Sequence, residues 1–304
     1  MNNIHNAEID LILDASIRDL GDFDVRRALP APQRRSVGPF VFFDEFGPVT
    51  LKPGKGFDTR PHPHIGLATL SYLLEGEMVH RDSEGFVQTL HPGSVNLMTA
   101  GQGIVHSERS TADFRANGGG VHGFQTWIAL PAAQENIAPD FQHVPANAIP
   151  EMEGEGISLK LLAGSLNHRS ALTRTFSETL YADVALQQGA RFRIDDHHIE
   201  RAAYVISGKI GVTGQTGEFS PGQMVVFKPG SEIVVKAAHD AARVIVLGGE
   251  PLDGKRHIFW NFVASRKERI EQAAEDWRAG RFKTVPGETE FIPLPESKPL
   301  SSGK

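Results

Sequence analysis

The chain has 304 residues, 40% hydrophobic and 22% charged, which is long enough for two domains of ordinary size with sizeable cores. Its 31 basic and 37 acidic residues give a formal net charge of −6, so nothing in the balance attracts a phosphate backbone, and direct nucleic-acid contact is not expected. There is no cysteine, which excludes disulfides, thiolate metal sites and cysteine nucleophiles.

The opening stretch MNNIHNAEIDLIL has no basic n-region and no sustained apolar run, so no signal peptide is expected. No segment approaches the length of a membrane span, and a cytoplasmic location is the expectation. The basic residues Arg26, Arg27, Arg34 and Arg35 are interrupted by prolines and read as a solvated loop. From there onward, short β-type runs follow one another: VGPFVFFDEF, LATLSYLLEG, SVNLMTA, FQTWIAL, ISLKLLAG, YADVALQQG, AAYVISGKIGV, QMVVFKP, EIVVKA and ARVIVLGG. Short strands at regular spacing with turn residues between them predict a sandwich or a barrel, and closed barrels suit many short strands because they bury edges.

The runs repeat. LSYLLEGEMVHRDSEGFVQTLHPGSVNLMTAG in the first half reads strand, Gly turn, strand, Pro-Gly turn, strand, and AAYVISGKIGVTGQTGEFSPGQMVVFKPG in the second half reads the same way. Gly76 matches Gly208, and Pro92-Gly93 matches Pro221-Gly222, which points to a duplicated β unit. The division lies within Pro131 to Gly156, where periodicity fades and Pro, Asn and Gly accumulate. The expected domains are 1–135, binding metal, and 150–304, free of metal. The spacing of Ile270, Ala273, Ala274 and Trp277 predicts a helix over 265–279, with Ser265 and Glu268 as a capping box and Gly280 as its stop. That helix is expected to lie on the C-terminal barrel, and the Pro- and Ser-rich end from Pro293 to fray.

Two residue pairs carry chemistry. His62 and His64 are two apart, as are His106 and Glu108, and on extended strands i and i+2 share a face. If the strands are neighbours, three imidazoles and one carboxylate converge inside a barrel. Pro61 and Pro63 place the first pair on an edge or strand end. Such a donor set suits Fe(II), with Mn, Co, Ni, Cu and Zn compatible, and a six-coordinate ion would keep two positions open. Structural zinc would favour a closed tetrahedral site, often with cysteines.

Gly56-x5-His62-x-His64, then Pro92-Gly93 and a later His106, matches the two-part cupin signature. The usual cupin glutamate would fall at Ala68 or Thr69, and Glu108 restores the carboxylate. That variant resembles the pirin family. VRRALP at 25–30, VGPFVFFDEFGP at 37–48, RPHPHIGLATLSYLLEGEMVHRDS at 60–83, MTAGQGIVHSE at 98–108, FQTWIALP at 124–131 and WNFVASRKERIEQAAEDW at 260–277 carry the likeness over nearly the whole chain. The resemblance implies an all-β fold of two tandem cupin (jelly-roll type) barrels with a C-terminal α-helix. It implies iron, and a quercetin 2,3-dioxygenase activity in which Glu108 takes the proton of the flavonol 3-hydroxyl, with a flavonol and O2 as partners. It also leaves an iron-dependent regulatory module with a protein partner as an alternative, and a vestigial structural cupin as a third.

In the second half, alignment on the matched glycines puts Ile194 and Asp196 where His62 and His64 stand, and His197 and His198 point to opposite faces. A metal-free barrel follows, with His239 in a loop. Arg60 and Arg109 alternate with the ligands and are expected to face outward. Gln125 is a candidate partner for an imidazole, while Trp127, Phe42, Phe43 and Phe46 are expected in the core. His80 and His91 lack i+2 partners and are expected to be exposed.

Overall fold

The computed structural model describes residues 8–19, 24–230 and 232–296. The first barrel pairs a large sheet with a small one. The large sheet runs, in spatial order, Asp140–Val144, Val95–Thr99, Leu67–Glu75, Gly119–Ala129, Phe40–Leu51, Asp24–Leu29 and Ser16–Asp19. The small sheet orders Asp58–His64, Ile104–Arg109, Met78–Asp82 and Val87–Leu90. The second barrel repeats the plan, with Glu200–Ser207, Ala242–Gly249, Thr179–Leu186 and Ile157–Leu166 central in its large sheet. Its small sheet is Arg191–Ile194, Ile233–Ala237 and Ile210–Val212. The expected fold of two cupin barrels and one C-terminal helix is the one found. No helix among the described residues is long and apolar enough to cross a membrane.

The matched glycines occupy matching turns. Gly76 and Gly208 have φ of 89° and 68°, the left-handed region that favours glycine. A Cβ on Gly208 would lie 2.2 Å from the Ala241 carbonyl oxygen, so the turn closes against a neighbouring strand with no room for a side chain.

Period-two alternation sorts side chains between two cores. In Leu67–Glu75, Ala68, Leu70 and Tyr72 join a cluster between the barrels with Phe43, Phe124, Tyr181, Tyr204 and Leu247, whereas Leu67 and Leu73 face the first barrel's interior. The strand is therefore buried on both faces and reads as a continuous apolar run. The second barrel's interior is one apolar cluster. The first barrel's interior is split into two, around Trp127 and around Phe46. The polar site described below lies between these clusters.

Buried ionic groups also tie the barrels together. Asp183, 3% exposed, accepts two hydrogen bonds from Arg243 (2.8 and 2.6 Å) and one from the Tyr72 hydroxyl of the first barrel (2.7 Å). Glu45, fully buried, accepts from the Tyr204 hydroxyl of the second barrel at 2.7 Å.

Both chain ends cross over. Ile9–Asp14, grouped with the first barrel by sequence position, pairs with Gln223–Phe227 and widens the second barrel's sheet. The helix Lys267–Arg278 packs through Ile270, Ala273 and Ala274 on Ile65 and Phe262. It therefore lies on the first barrel, correcting the expectation that it covers the second. Its apolar stripe defined the helix but carried no information about which barrel it would meet. The expected capping box does not form either. Arg266 is the N-cap and makes no side-chain cap bond, while Ser265 donates through N and Oγ to the buried Glu135, both at 2.8 Å. That bond anchors the helix entrance to the first barrel. Pro293–Glu296 form no regular element, and the rest of the tail expected to fray lies outside the described residues.

Candidate metal centre

Asp58–His64 is an edge strand, as its two prolines require, and pairs antiparallel with Ile104–Arg109. His106 stands directly opposite His62, and Ile104 opposite His64. A register shift between His106 and Glu108 places Glu108 opposite Thr59. The strands anticipated as neighbours are neighbours, and one nitrogen from each of His62, His64 and His106 falls within 4.8 Å of the others. All three rings are buried.

Second contacts orient the rings. His62 Nδ1 lies 2.8 Å from the Arg60 carbonyl oxygen, so Nδ1 donates and Nε2 keeps its lone pair. His106 Nδ1 faces His80 Nδ1 at 3.4 Å, and His80 Nε2 lies 2.9 Å from Asp82 Oδ2. His64 Nδ1 has no hydrogen-bond partner of normal geometry, although the Asn261 backbone lies beside the ring. Burial depresses all three imidazoles. His62 is lowered to about 4 from an ordinary 6.5, and His64 and His106 fall well below their usual value. They are neutral at pH 7, the protonation state a metal requires.

The donor set fits a divalent transition metal. His64 Nε2 and His106 Nε2 are 3.1 Å apart. Two neutral imidazoles that aim lone pairs at each other over that distance repel unless a proton or a cation sits between them. Two nitrogens each about 2.1 Å from one ion and at right angles would lie about 3.0 Å apart. Among the described residues this is the one such cluster of His, Cys, Asp or Glu.

Glu108 is 6% exposed and lines the same cavity as His62 and His64, but it is not part of the tight imidazole cluster. Burial raises its carboxyl to about 7 from 4.5, opposed by a hydrogen bond from Gln125 Nε2 to Oε1 at 2.9 Å. Gln125 Oε1 in turn accepts from Ser71 Oγ at 2.5 Å. Gln125, considered as a partner for an imidazole, thus orients the carboxylate instead.

The cavity holds about 190 Å3. Phe42 stacks on Trp127 at 4.0 Å, and Trp127 meets His64 edge-on at 5.3 Å. Phe42, Phe46 and Trp127 are core residues as expected, and the same rings wall the site; Phe43 packs between the barrels. Trp260, Asn261 and Ile292 come from the C-terminal segment and also line the cavity. The segment is tied down by Arg109, which donates to Glu288 (3.1 and 2.7 Å) and Glu290 (2.9 Å), and by the Ile292 amide on the Pro61 carbonyl (2.8 Å). Arg109 is thus a structural tether, while Arg60 is exposed.

His91 is exposed as anticipated, with 62% of its side chain accessible. His80 is not. It is 4% exposed, stacked on Phe141 at 4.5 Å and bonded to Asp82. The signal is in the sequence: His80 and Asp82 are two apart on a strand and share a face, although neither fits the ligand motif. Their arrangement holds the His106 ring with Nε2 toward its neighbours. In the variant His80→Gln, which can still donate to Asp82, we expect divalent-metal affinity to fall about 10–100-fold while the metal-free protein stays folded by circular dichroism. Unchanged affinity in a competition titration would remove this role.

Among the described residues the second barrel has no such cluster. Ile194 pairs with Ile233, and both are fully buried where the first barrel sets His62 against His106. Asp196 is exposed, and His198 is 2.8 Å from the Ser165 carbonyl oxygen. His239 is exposed beside Glu218.

Comparison with known proteins agrees with this architecture. The family model described as Pirin matches residues 22–128, and the Pirin C-terminal cupin domain matches residues 181–283. A pirin-like protein of Caulobacter vibrioides is 46% identical over 292 residues, covering 95% of this chain and all of that one. A Pseudomonas aeruginosa protein, named provisionally as a quercetin 2,3-dioxygenase, is 39% identical, covering 86% of this chain and 80% of its own. The crystal structure of a quercetin 2,3-dioxygenase from Acinetobacter baumannii superposes with a TM-score of 0.85 at 33% identity, covering 94% of this chain and 96% of that one.

Proposed function

Because this chain belongs to the pirin family, we propose that it is a metal-dependent dioxygenase that opens the heterocyclic ring of flavonols such as quercetin with O2. Its ion is held by His62, His64, His106 and Glu108, and Fe(II) is the ion this donor set suits best. The observation that carries the reading is a neutral three-imidazole cluster opening into an aromatic-walled cavity beside a carboxyl poised near pH 7.

A divalent ion bound there supplies Lewis acidity toward the flavonol 3-hydroxyl and a route for electrons between substrate and O2. The side chains do the rest. Glu108, its oxygen positioned by Gln125, accepts the 3-hydroxyl proton. Phe42, Phe46 and Trp127 offer flat apolar walls to a planar aromatic ring system. Trp260, Asn261 and Ile292 exclude water from the reacting carbons.

At about 190 Å3 the cavity is smaller than the ~300–1,000 Å3 typical of sites for molecules of flavonol size. A flavonol therefore enters only as the segment carrying Trp260 and Ile292 shifts.

The test is oxygen uptake by protein reconstituted with Fe(II) and supplied with quercetin. We expect O2 consumption matched by carbon monoxide release, and quercetin binding without turnover when O2 is removed. Full metal occupancy with no O2 consumption would sink the catalytic reading and leave the chain a metal-dependent binding module.

A further inference from the structure

A cavity larger than that of the candidate metal centre lies apart from it. It is a cleft of about 850 Å3 bounded by the helix Lys267–Arg278, the loop leading into His257–Phe259, and residues from both barrels. It shares no lining residue with the metal cavity, although Val41 and Phe259 line the cleft while their chain neighbours Phe42 and Trp260 line the other. Its volume lies in the range of sites for small organic ligands, and such sites favour the junctions between domains.

The floor is apolar, with Val41, Leu252, Phe259 and Ile270 among its residues. The rim is basic. Arg35, Lys255, Lys267 and Arg278 are all exposed, and none makes an ion pair or side-chain hydrogen bond among the described residues. Four unpaired cations around a single cleft form a local positive field on a chain whose net charge is −6. Two carboxylates line the cleft as well. Glu200 is neutralised by Arg34 at 3.4 Å and by the Gly38 amide at 2.7 Å, which leaves Glu271 as the one unpaired acid.

The wall holds a further unmet demand. Arg256, 9% exposed, bonds to Asp253 and to the Leu130 carbonyl oxygen through its terminal nitrogens, but its buried Nε has no hydrogen-bond partner. A buried donor without an acceptor is costly, and Arg256 brings a fifth cation to the lining of the cleft.

We propose that this cleft binds an anionic amphiphile of small-molecule size, a carboxylate on a hydrophobic chain or ring, with the apolar part on the floor and the carboxylate among the rim cations and Arg256. The concave shape and modest volume favour a small molecule over a protein surface, which needs a contact area of about 1,000 Å2 or more.

Titration calorimetry with dodecanoate below its micellar concentration tests this, with dodecyltrimethylammonium as the cationic counterpart of equal chain length. Dodecanoate should bind saturably, with one site per chain, to both the metal-free and the metal-loaded protein, and the cation should not. Lys255→Glu combined with Arg278→Glu should weaken dodecanoate binding by about tenfold or more. Both side chains are exposed and unpaired, so the double variant should melt as the parent does. The same change in charge at Arg169 and Arg191, away from the cleft, should leave binding unaltered. The proposal is overturned by absence of saturable dodecanoate binding, by equal binding of the cationic counterpart, by equal weakening at the control positions, or by binding of an acidic peptide in place of dodecanoate.

Discussion

Replacing His106 with alanine is expected to strip the protein of its metal, with affinity lowered by more than about 100-fold, and to abolish oxygen uptake with quercetin. His106 is fully buried, faces His62 across the strand pair and sits 3.1 Å from His64, so no solvent-exposed group can take its place. Loss of an orienting neighbour alone costs about 10–100-fold in comparable sites, and loss of a ligand itself costs more. Stability offers an independent readout. A ligand that binds only the folded state, present at about a thousandfold excess over its dissociation constant, adds about 4 kcal/mol. Thermal melting of the wild-type chain should therefore rise on addition of Fe(II) or a surrogate divalent ion, and that of His106→Ala should not. Retained metal after gel filtration, or an unchanged rise in melting temperature, would remove the three-imidazole cluster as the metal centre.

The other large effect is expected at Glu108. Glu108→Gln keeps the side chain's size and leaves all three imidazoles in place, so at saturating metal the variant should remain loaded. It cannot accept a proton, and turnover of quercetin should drop by about 10²–10⁴-fold. The pH profile gives the sign. The carboxyl is raised to about 7 by burial, so it is protonated, and inactive as a base, below that pH. In the wild-type chain kcat/KM should fall as pH decreases through this range, approaching tenfold per pH unit on the acid side and levelling off on the alkaline side. A bound cation favours the ionised form and moves the midpoint to lower pH without changing the direction. In Glu108→Gln the residual rate should lose this acid limb. A variant with wild-type turnover, or with the acid limb intact, would assign the proton transfer to another group.

These two residues differ in how far the sequence revealed them. His62, His64 and His106 were legible because ligand geometry on a strand reduces to a period of two, and because turn glycines fixed where each strand begins. Glu108 shares that spacing with His106, but the strand bulges between them. A bulge leaves no mark in the spacing, and it helps set how the carboxylate stands relative to the imidazoles. Gln125 was visible as an inward residue, yet its choice of Glu108 over a histidine follows from how the large sheet packs face to face on the small one. The burial of His80 was not legible either, because burial depends on what covers a strand, and Phe141, from a distant segment, covers this one.

The sequence by itself determined the two barrels, their duplicated turns, and the three imidazoles gathered in the first. All of these rest on local periodicity, on glycine's access to positive φ, and on which side chains can donate to a metal. Only the tertiary structure decided that the first strand is given to the second barrel and the helix to the first, that Trp260 and Ile292 line the metal cavity, and that unpaired cations gather around an apolar cleft between the barrels. An apolar stripe or a charged rim encodes that a surface will be covered or will attract an opposite charge. Which surface it meets is settled by long-range packing, in which segments far apart in the chain compete to bury the same area.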